Sequence, residues 1–113
     1  MIVGRTFYFD AAHFLPDYQG KCERLHGHTY RLDVEACGDI RKDGLVLDFN
    51  QLKEIVADEI LSKLDHQDLN KLVDNPTAEN ILEWIWKRLE GRMKLHAIRI
   101  WEGHAKWVEK TRE

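Results

Sequence analysis

The stretch His26-Gly27-His28-Thr29-Tyr30-Arg31-Leu32-Asp33-Val34-Glu35-Ala36-Cys37 puts His26, His28, Tyr30, Leu32, Val34 and Ala36 on one parity. Successive side chains of a strand point to opposite faces, so this alternation predicts a β-strand with one buried face. Working back from it, Leu15–Lys21 carries Pro16, Asp17 and Gly20 and reads as a loop. Before that loop, Ile2–Ala12 is rich in β-branched and aromatic residues, with Val3, Arg5, Phe7 and Phe9 on one parity. That run predicts a first strand.

Downstream, Gly38–Gly44 reads as a turn. Asp48 then has the character of a helix N-cap, with Gln51 three residues on completing a capping-box pattern. Phe49, Leu52, Ile55, Val56, Ile60 and Leu64 follow at helical spacing, which predicts an amphipathic helix ending near Leu64. Asp65–Asn75 is a polar connector. A second helix is predicted from about Thr77, with Pro76 at its boundary, Ala78, Ile81, Leu82, Ile85 and Leu89 as its stripe, and Gly91 as its C-terminal cap. Leu95–Glu102 and Ala105–Val108 return to strand character, joined by Gly103-His104 in a tight type II′ hairpin. The expected architecture is a single α+β domain over residues 1–113, in the order ββααββ. It is a four-stranded antiparallel sheet with two helices on one face.

The 113 residues are 43% hydrophobic and 33% charged, with a formal net charge of −3. That charge is spread over both signs and makes no general case for nucleic acid as a partner. The charged fraction exceeds the usual quarter, which fits a heat-adapted surface. No signal peptide or long apolar run is present, so neither secretion nor a membrane partner is expected, and a reduced cytoplasmic setting follows for Cys22 and Cys37. A Cys22–Cys37 disulfide would lack any secreted framework. Two helices can cover only one face of the sheet, yet the strands carry bulky apolar groups on both parities, so self-association is expected.

The chemistry concentrates in Cys22-Glu23-Arg24-Leu25-His26-Gly27-His28. Residues two apart in a strand share a side, so His26 and His28 can bite one metal together. Gly27 between them lets another group approach closely. His13 ends the preceding strand and supplies a third imidazole if the two strands are neighbours. Three neutral imidazoles suit zinc and leave a fourth position open, the pattern of a catalytic site. Cys22, four residues before His26, is open to three readings: a fourth ligand, a buried thiol, or a base activated by a nearby cation. Asp65-His66 follows the first helix; by spacing alone it is helix-end capping. Glu102, at the end of the third strand among aromatics, is either a solvent-facing turn residue or a buried carboxylate awaiting an N–H partner. Trp84, Trp86 and Trp107 read as packing or interface residues.

Four landmarks occur in order: Phe9-Asp10-Ala11-Ala12-His13, Cys22-x-x-x-His26-Gly27-His28, Leu64-Asp65-His66-x-x-Leu69-Asn70, and Pro76-Thr77-Ala78-Glu79-Asn80. With the closing Trp101-Glu102 strand, the chain resembles the 6-pyruvoyltetrahydropterin synthase family over nearly its whole length. The resemblance implies the tunnelling fold, assembled as a trimeric barrel or a hexamer of two trimers, with sites at subunit boundaries. It implies Zn2+ on His13, His26 and His28, gripping the side-chain hydroxyls of 7,8-dihydroneopterin triphosphate as a Lewis acid. It implies Cys22 as the proton-abstracting base, Asp65 and His66 as a relay, Glu102 as anchor of the amino-pyrimidine edge, and Thr77 and Glu79 as pocket residues.

The Cys-x-x-x-His-Gly-His spacing resembles the 6-carboxytetrahydropterin branch, which releases triphosphate and acetaldehyde and feeds 7-deazaguanine tRNA nucleosides. Glu23 stands where a relative forming 6-hydroxymethyl-7,8-dihydropterin carries its catalytic glutamate, so it is the candidate product-determining residue. The 6-pyruvoyl product is a further alternative. From other classes come a zinc-binding assembly module without turnover, which would not need Cys22, Asp65-His66 or Glu102, and a zinc hydrolase on the same ligands.

Overall fold

The computed structural model describes residues 1–20 and 23–112. Strands β1 (Ile2–His13) and β2 (His26–Cys37) pair antiparallel along their whole length, from Ile2 opposite Cys37 to His13 opposite His26. The alternation of β2 has its expected effect: Tyr30, Leu32, Val34 and Ala36 are buried, and opposite them on β1 so are Phe7 and Phe9.

Helix α1 (Phe49–Val56) continues through a π-helical stretch, Ala57–Leu61, into α2 (Ser62–Leu64). Asp48 caps it, its carboxylate accepting the Asn50 N–H at 2.7 Å. Within the π stretch the Glu59 carbonyl accepts Arg88 Nε–H at 2.8 Å, tying this helix to the next. The expected polar connector contains a short strand, β3 (Gln67–Asp68), which pairs parallel with Ala11 and Ala12. A two-residue polar strand has no periodicity to announce it. It makes the sheet five-stranded, in the order β3-β1-β2-β4-β5.

Helix α3 (Ala78–Leu89) starts where Thr77 caps it, Thr77 Oγ1 accepting the Asn80 N–H at 3.1 Å. It ends on Glu90, whose N–H reaches the Trp86 carbonyl; Gly91 keeps a negative φ and is not a left-handed cap. Strands β4 (Leu95–Glu102) and β5 (Lys106–Thr111) form the closing hairpin. Its loop is three residues, Gly103-His104-Ala105, one more than expected, with Glu102 opposite Lys106 and Gly103 at φ +70. None of the helices is long and apolar enough to cross a membrane among the described residues.

The core lies between the helices and one sheet face. Leu52, Ile60, Leu64, Ile81, Ile85 and Leu89 meet Leu32, Val34, Ile98 and Ile100, all fully buried. The opposite face bears Tyr8, exposed to 64%, and a charged ladder on Asp33. The Asp33 carboxylate accepts Thr6 Oγ1 at 2.7 Å, Arg31 Nε at 3.0 Å and Trp101 Nε1 at 3.0 Å. Burial by itself raises the Asp33 pKa, but these three bonds and the Arg31 charge outweigh it and hold the carboxyl below its ordinary range.

Two outcomes are expected. Ile85→Ala, which empties a fully buried site, should lower unfolding stability by about 2–5 kcal/mol in urea titrations. Asp33→Asn should destabilise at neutral pH. Because the folded-state pKa of Asp33 is the lower one, its stabilisation is complete above the unfolded value and is lost as pH falls through the folded one. The stability gap between wild type and Asp33→Asn should therefore narrow below about pH 4.

Candidate metal and substrate site

The β1–β2 register sets His13 directly opposite His26 and Ala11 opposite His28, so all three imidazoles stand at one end of the helix-covered face. Their ring centroids are 4.7 Å (His13–His26), 5.1 Å (His13–His28) and 5.0 Å (His26–His28) apart. One potential ligand atom from each lies within 4.8 Å of the other two.

Backbone carbonyls orient two of the rings. His13 is 3% exposed, and its Nδ1 lies 2.7 Å from the Pro76 carbonyl just ahead of α3. His26 Nδ1 lies 2.8 Å from the Arg24 carbonyl. A carbonyl only accepts, so each Nδ1 carries the proton and each Nε2 keeps its lone pair. This is the orientation that metal-ligating histidines take from their outer shell.

His28 is the most informative of the three. Its Nε2 is buried, lies 3.2 Å from Glu102 Oε1, and is not aligned with it as a hydrogen bond. Burial, ahead of the neighbouring imidazoles, lowers its pKa, and Glu102 opposes that only in part. The ring is therefore biased to the neutral form that a metal requires. A buried nitrogen with no hydrogen-bond partner among the described residues, grouped with two other imidazoles, fits a divalent cation.

The segment after His13 is clamped from both sides. Asn70 Oδ1 accepts the Phe14 N–H and its Nδ2 donates to the Phe14 carbonyl, both at 2.9 Å. Glu23 Oε1 accepts the Leu15 N–H at 3.0 Å, while the Glu23 N–H reaches the Leu15 carbonyl at 3.1 Å. Glu23 thus holds the chain two residues after His13 through a pair of bonds to Leu15. Cys22 lies outside the described residues.

Asp65 and His66 form a separate group with Asp10, within which ligand atoms also lie within 4.8 Å of one another. Asp65 Oδ1 accepts the Asp10 N–H at 3.0 Å and lies 3.1 Å from His66 Nδ1. His66 adopts a left-handed backbone, φ 60, with its N–H on the Asp10 carbonyl at 2.6 Å. So the two side chains lie in ion-pair range of each other, and both residues are hydrogen-bonded to the Asp10 main chain on β1. An open depression of about 580 Å³ is lined by both His66 and His28, with Gly27 between Ala12 and Thr29 on its wall. A Cβ on Gly27 would sit 3.6 Å from the Ala11 carbonyl, an ordinary contact, so no close approach inside this chain demands the glycine.

Thr77 is half-buried and spends its hydroxyl capping α3, and Glu79 is exposed in the first turn of that helix. Neither touches the three imidazoles through a bond the structure records. The roles of the Pro76 and Arg24 carbonyls were not legible in the sequence, since a backbone oxygen leaves no residue-type signature. Tyr30 also escaped, though its place two residues after His28 on the same parity was a signal.

A one-sided helical layer on a five-stranded sheet, with three cross-strand imidazoles at one end, defines an α+β domain with a candidate metal site. The chain belongs to the 6-pyruvoyl tetrahydropterin synthase family, whose profile matches residues 2–113. Among curated relatives, the dihydroneopterin monophosphate aldolase of Pyrococcus furiosus is 47% identical, covering 89% of each chain. The 6-carboxy-5,6,7,8-tetrahydropterin synthase of Haemophilus influenzae is 37% identical, covering 95% of this chain and 96% of its own. The solved 6-pyruvoyl tetrahydropterin synthase of Caenorhabditis elegans superposes with a TM-score of 0.86 at 25% identity, over all of this chain and 96% of that one. The family and its tunnelling fold are as the landmarks implied, and the function is of tetrahydropterin synthase type.

One test addresses the metal alone. Purified protein should bind one divalent ion per chain, and His28→Ala should weaken that binding by at least tenfold in competition with a chromogenic chelator.

Proposed function

We propose that the chain is a zinc-dependent lyase that breaks the bond between the first and second side-chain carbons of a dihydroneopterin phosphate. The observation that carries this is the trio His13, His26 and His28, with an unpartnered Nε2 on His28 beside the Glu102 carboxylate. Zinc in that trio would supply a Lewis acid for the side-chain hydroxyls, lowering the cost of moving their protons. Glu102, with about a fifth of its side chain exposed, is an acceptor pair for the N–H edge of the pterin ring. Cys22 is the proposed base. Asp65 fixes the His66 imidazole 3.1 Å away, which makes His66 the proposed proton carrier. Thr77 and Glu79 are proposed as outer pocket residues at the start of α3.

The product reading that the Cys22-x-x-x-His26 spacing supports is 6-carboxytetrahydropterin, with triphosphate and acetaldehyde, as a step toward 7-deazaguanine nucleosides. Carbon counting places the cleavage: one side-chain carbon stays on the ring and two leave. A second reading is favoured by Glu23 beside Cys22 and by the 47% identity to a dihydroneopterin monophosphate aldolase. There the same bond breaks in a retro-aldol sense and leaves a 6-hydroxymethyl group. Glu23 then holds the deciding position, its carboxylate held by the Leu15 N–H.

The chain is also proposed to work as a homotrimer or a hexamer. What supports this is the helix-free sheet face, with Tyr8 and Trp107 exposed to 64% and 48%, and the open edges of β3 and β5.

Mass spectrometry of products from zinc-loaded protein given dihydroneopterin triphosphate or monophosphate separates the readings. A 6-carboxy product lost in Cys22→Ala supports the first; a 6-hydroxymethyl product lost in Glu23→Ala supports the second. Absence of turnover on both substrates would sink the enzyme assignment. His66→Gly, which relieves a left-handed residue of its side chain, should leave stability within about 1 kcal/mol while lowering kcat by about 10²-fold or more.

A further inference from the structure

Tyr30 is the one fully buried residue at the site that has no role in the reading above. Its side chain is 0% exposed, and its hydroxyl has no hydrogen-bond partner among the described residues. The ring is well held: it stacks on Phe9 at 5.0 Å and 11°, and meets His28 and His13 edge-on at 5.6 Å and 6.1 Å. The hydroxyl is therefore fixed beside the imidazole trio. A buried hydroxyl left unpaired is destabilising, so an idle one needs an explanation.

The neighbouring acceptor is Glu102. Tyr30 and Glu102 are direct partners in the β2–β4 register, on the same face. A phenol O–H is a donor, and a carboxylate directly across the ladder is an acceptor of the kind it lacks. That carboxylate leans instead on His28 Nε2, at 3.2 Å and out of line. Glu102 is outside the trio itself, since among the described residues no group that includes it has all ligand atoms within 4.8 Å of one another. It is an outer-shell residue with two claimants, His28 and Tyr30.

We infer that Tyr30 is a positioning residue for Glu102: when His28 commits its Nε2 lone pair to a metal, the Glu102 carboxylate turns to accept the Tyr30 O–H, and this sets it to receive the pterin ring. The inference deepens the proposed function and rests on it. Metal loading and ring recognition are then coupled through one carboxylate. The coupling must appear even for a pterin that has no side-chain hydroxyls to offer the metal.

The probe is therefore unsubstituted pterin, followed by its fluorescence on binding to metal-free and zinc-loaded protein, with zinc content measured in parallel. Wild type should bind it at least fivefold more tightly when loaded with zinc. Tyr30→Phe keeps the stacked ring and should take up zinc normally, yet show less than a twofold gain. In turnover the same variant should raise KM with kcat nearly unchanged. Glu102→Gln should lose the gain as well, and Tyr30→Phe added to Glu102→Gln should have no further effect.

A Tyr30→Phe protein with the wild-type zinc-linked gain would overturn the inference and leave the proposed function standing. So would an effect of Tyr30→Phe that adds fully to that of Glu102→Gln. A wild-type protein that takes up zinc but binds pterin equally in both states would overturn it too. Failure of the wild type to take up zinc, or to bind pterin in either state, would bring down the proposed function and this inference together.

Discussion

Everything at the site depends on the register between β1 and β2. Pairing His13 with His26 brings residues from opposite ends of a loop to adjacent positions, and the period of two brings His28 alongside. A slip by one residue would turn His26 and His28 to the outer face and leave His13 alone. The same slip would expose Tyr30, Leu32 and Val34, which are fully buried. The hydrophobic core therefore enforces the register, and the register assembles the imidazoles. Folding and site geometry are a single constraint in this chain.

The supporting residues cluster around the strand ends. Pro76 orients His13, Asn70 clamps Phe14, and Glu23 clamps Leu15, so three successive residues are each fixed from a different part of the chain. Metal sites need this kind of second layer because a ligand that can rotate loses much of its affinity. Two of the landmark segments in the sequence, around Asn70 and around Pro76, act here through such contacts. On the far sheet face a comparable ladder runs from Thr6 through Asp33 to Trp101, and Arg31 and Arg99 lie over the Trp101 ring at 5.1 Å and 5.8 Å.

Much of the fold was legible in the sequence because its long elements are strongly periodic. The strand His26–Cys37 and the helix stripes behind Asp48 and Thr77 lie where their patterns put them. What escaped was short or carried by backbone: the two-residue β3, the π stretch, and the third residue of the Gly103 loop. At the site, the His-x-His spacing pointed by residue type to the imidazoles that the structure brings together. Asp65-His66 was harder, because its link to β1 runs through the Asp10 main chain. Thr77 and Glu79 came from family likeness, and the structure shows Thr77 first as a helix cap.

The bond from His13 to the Pro76 carbonyl has a consequence for how this site can change over time. The oxygen belongs to the main chain, so no substitution at position 76 deletes it. The tautomer of His13 is set by where α3 begins, not by which side chain stands there. Drift in the loop before α3 can reorient the His13 ring only by moving backbone, which the buried stripe of that helix resists. The orientation of this imidazole is thus inherited with the packing of a helix, and it is sheltered from most single-residue change.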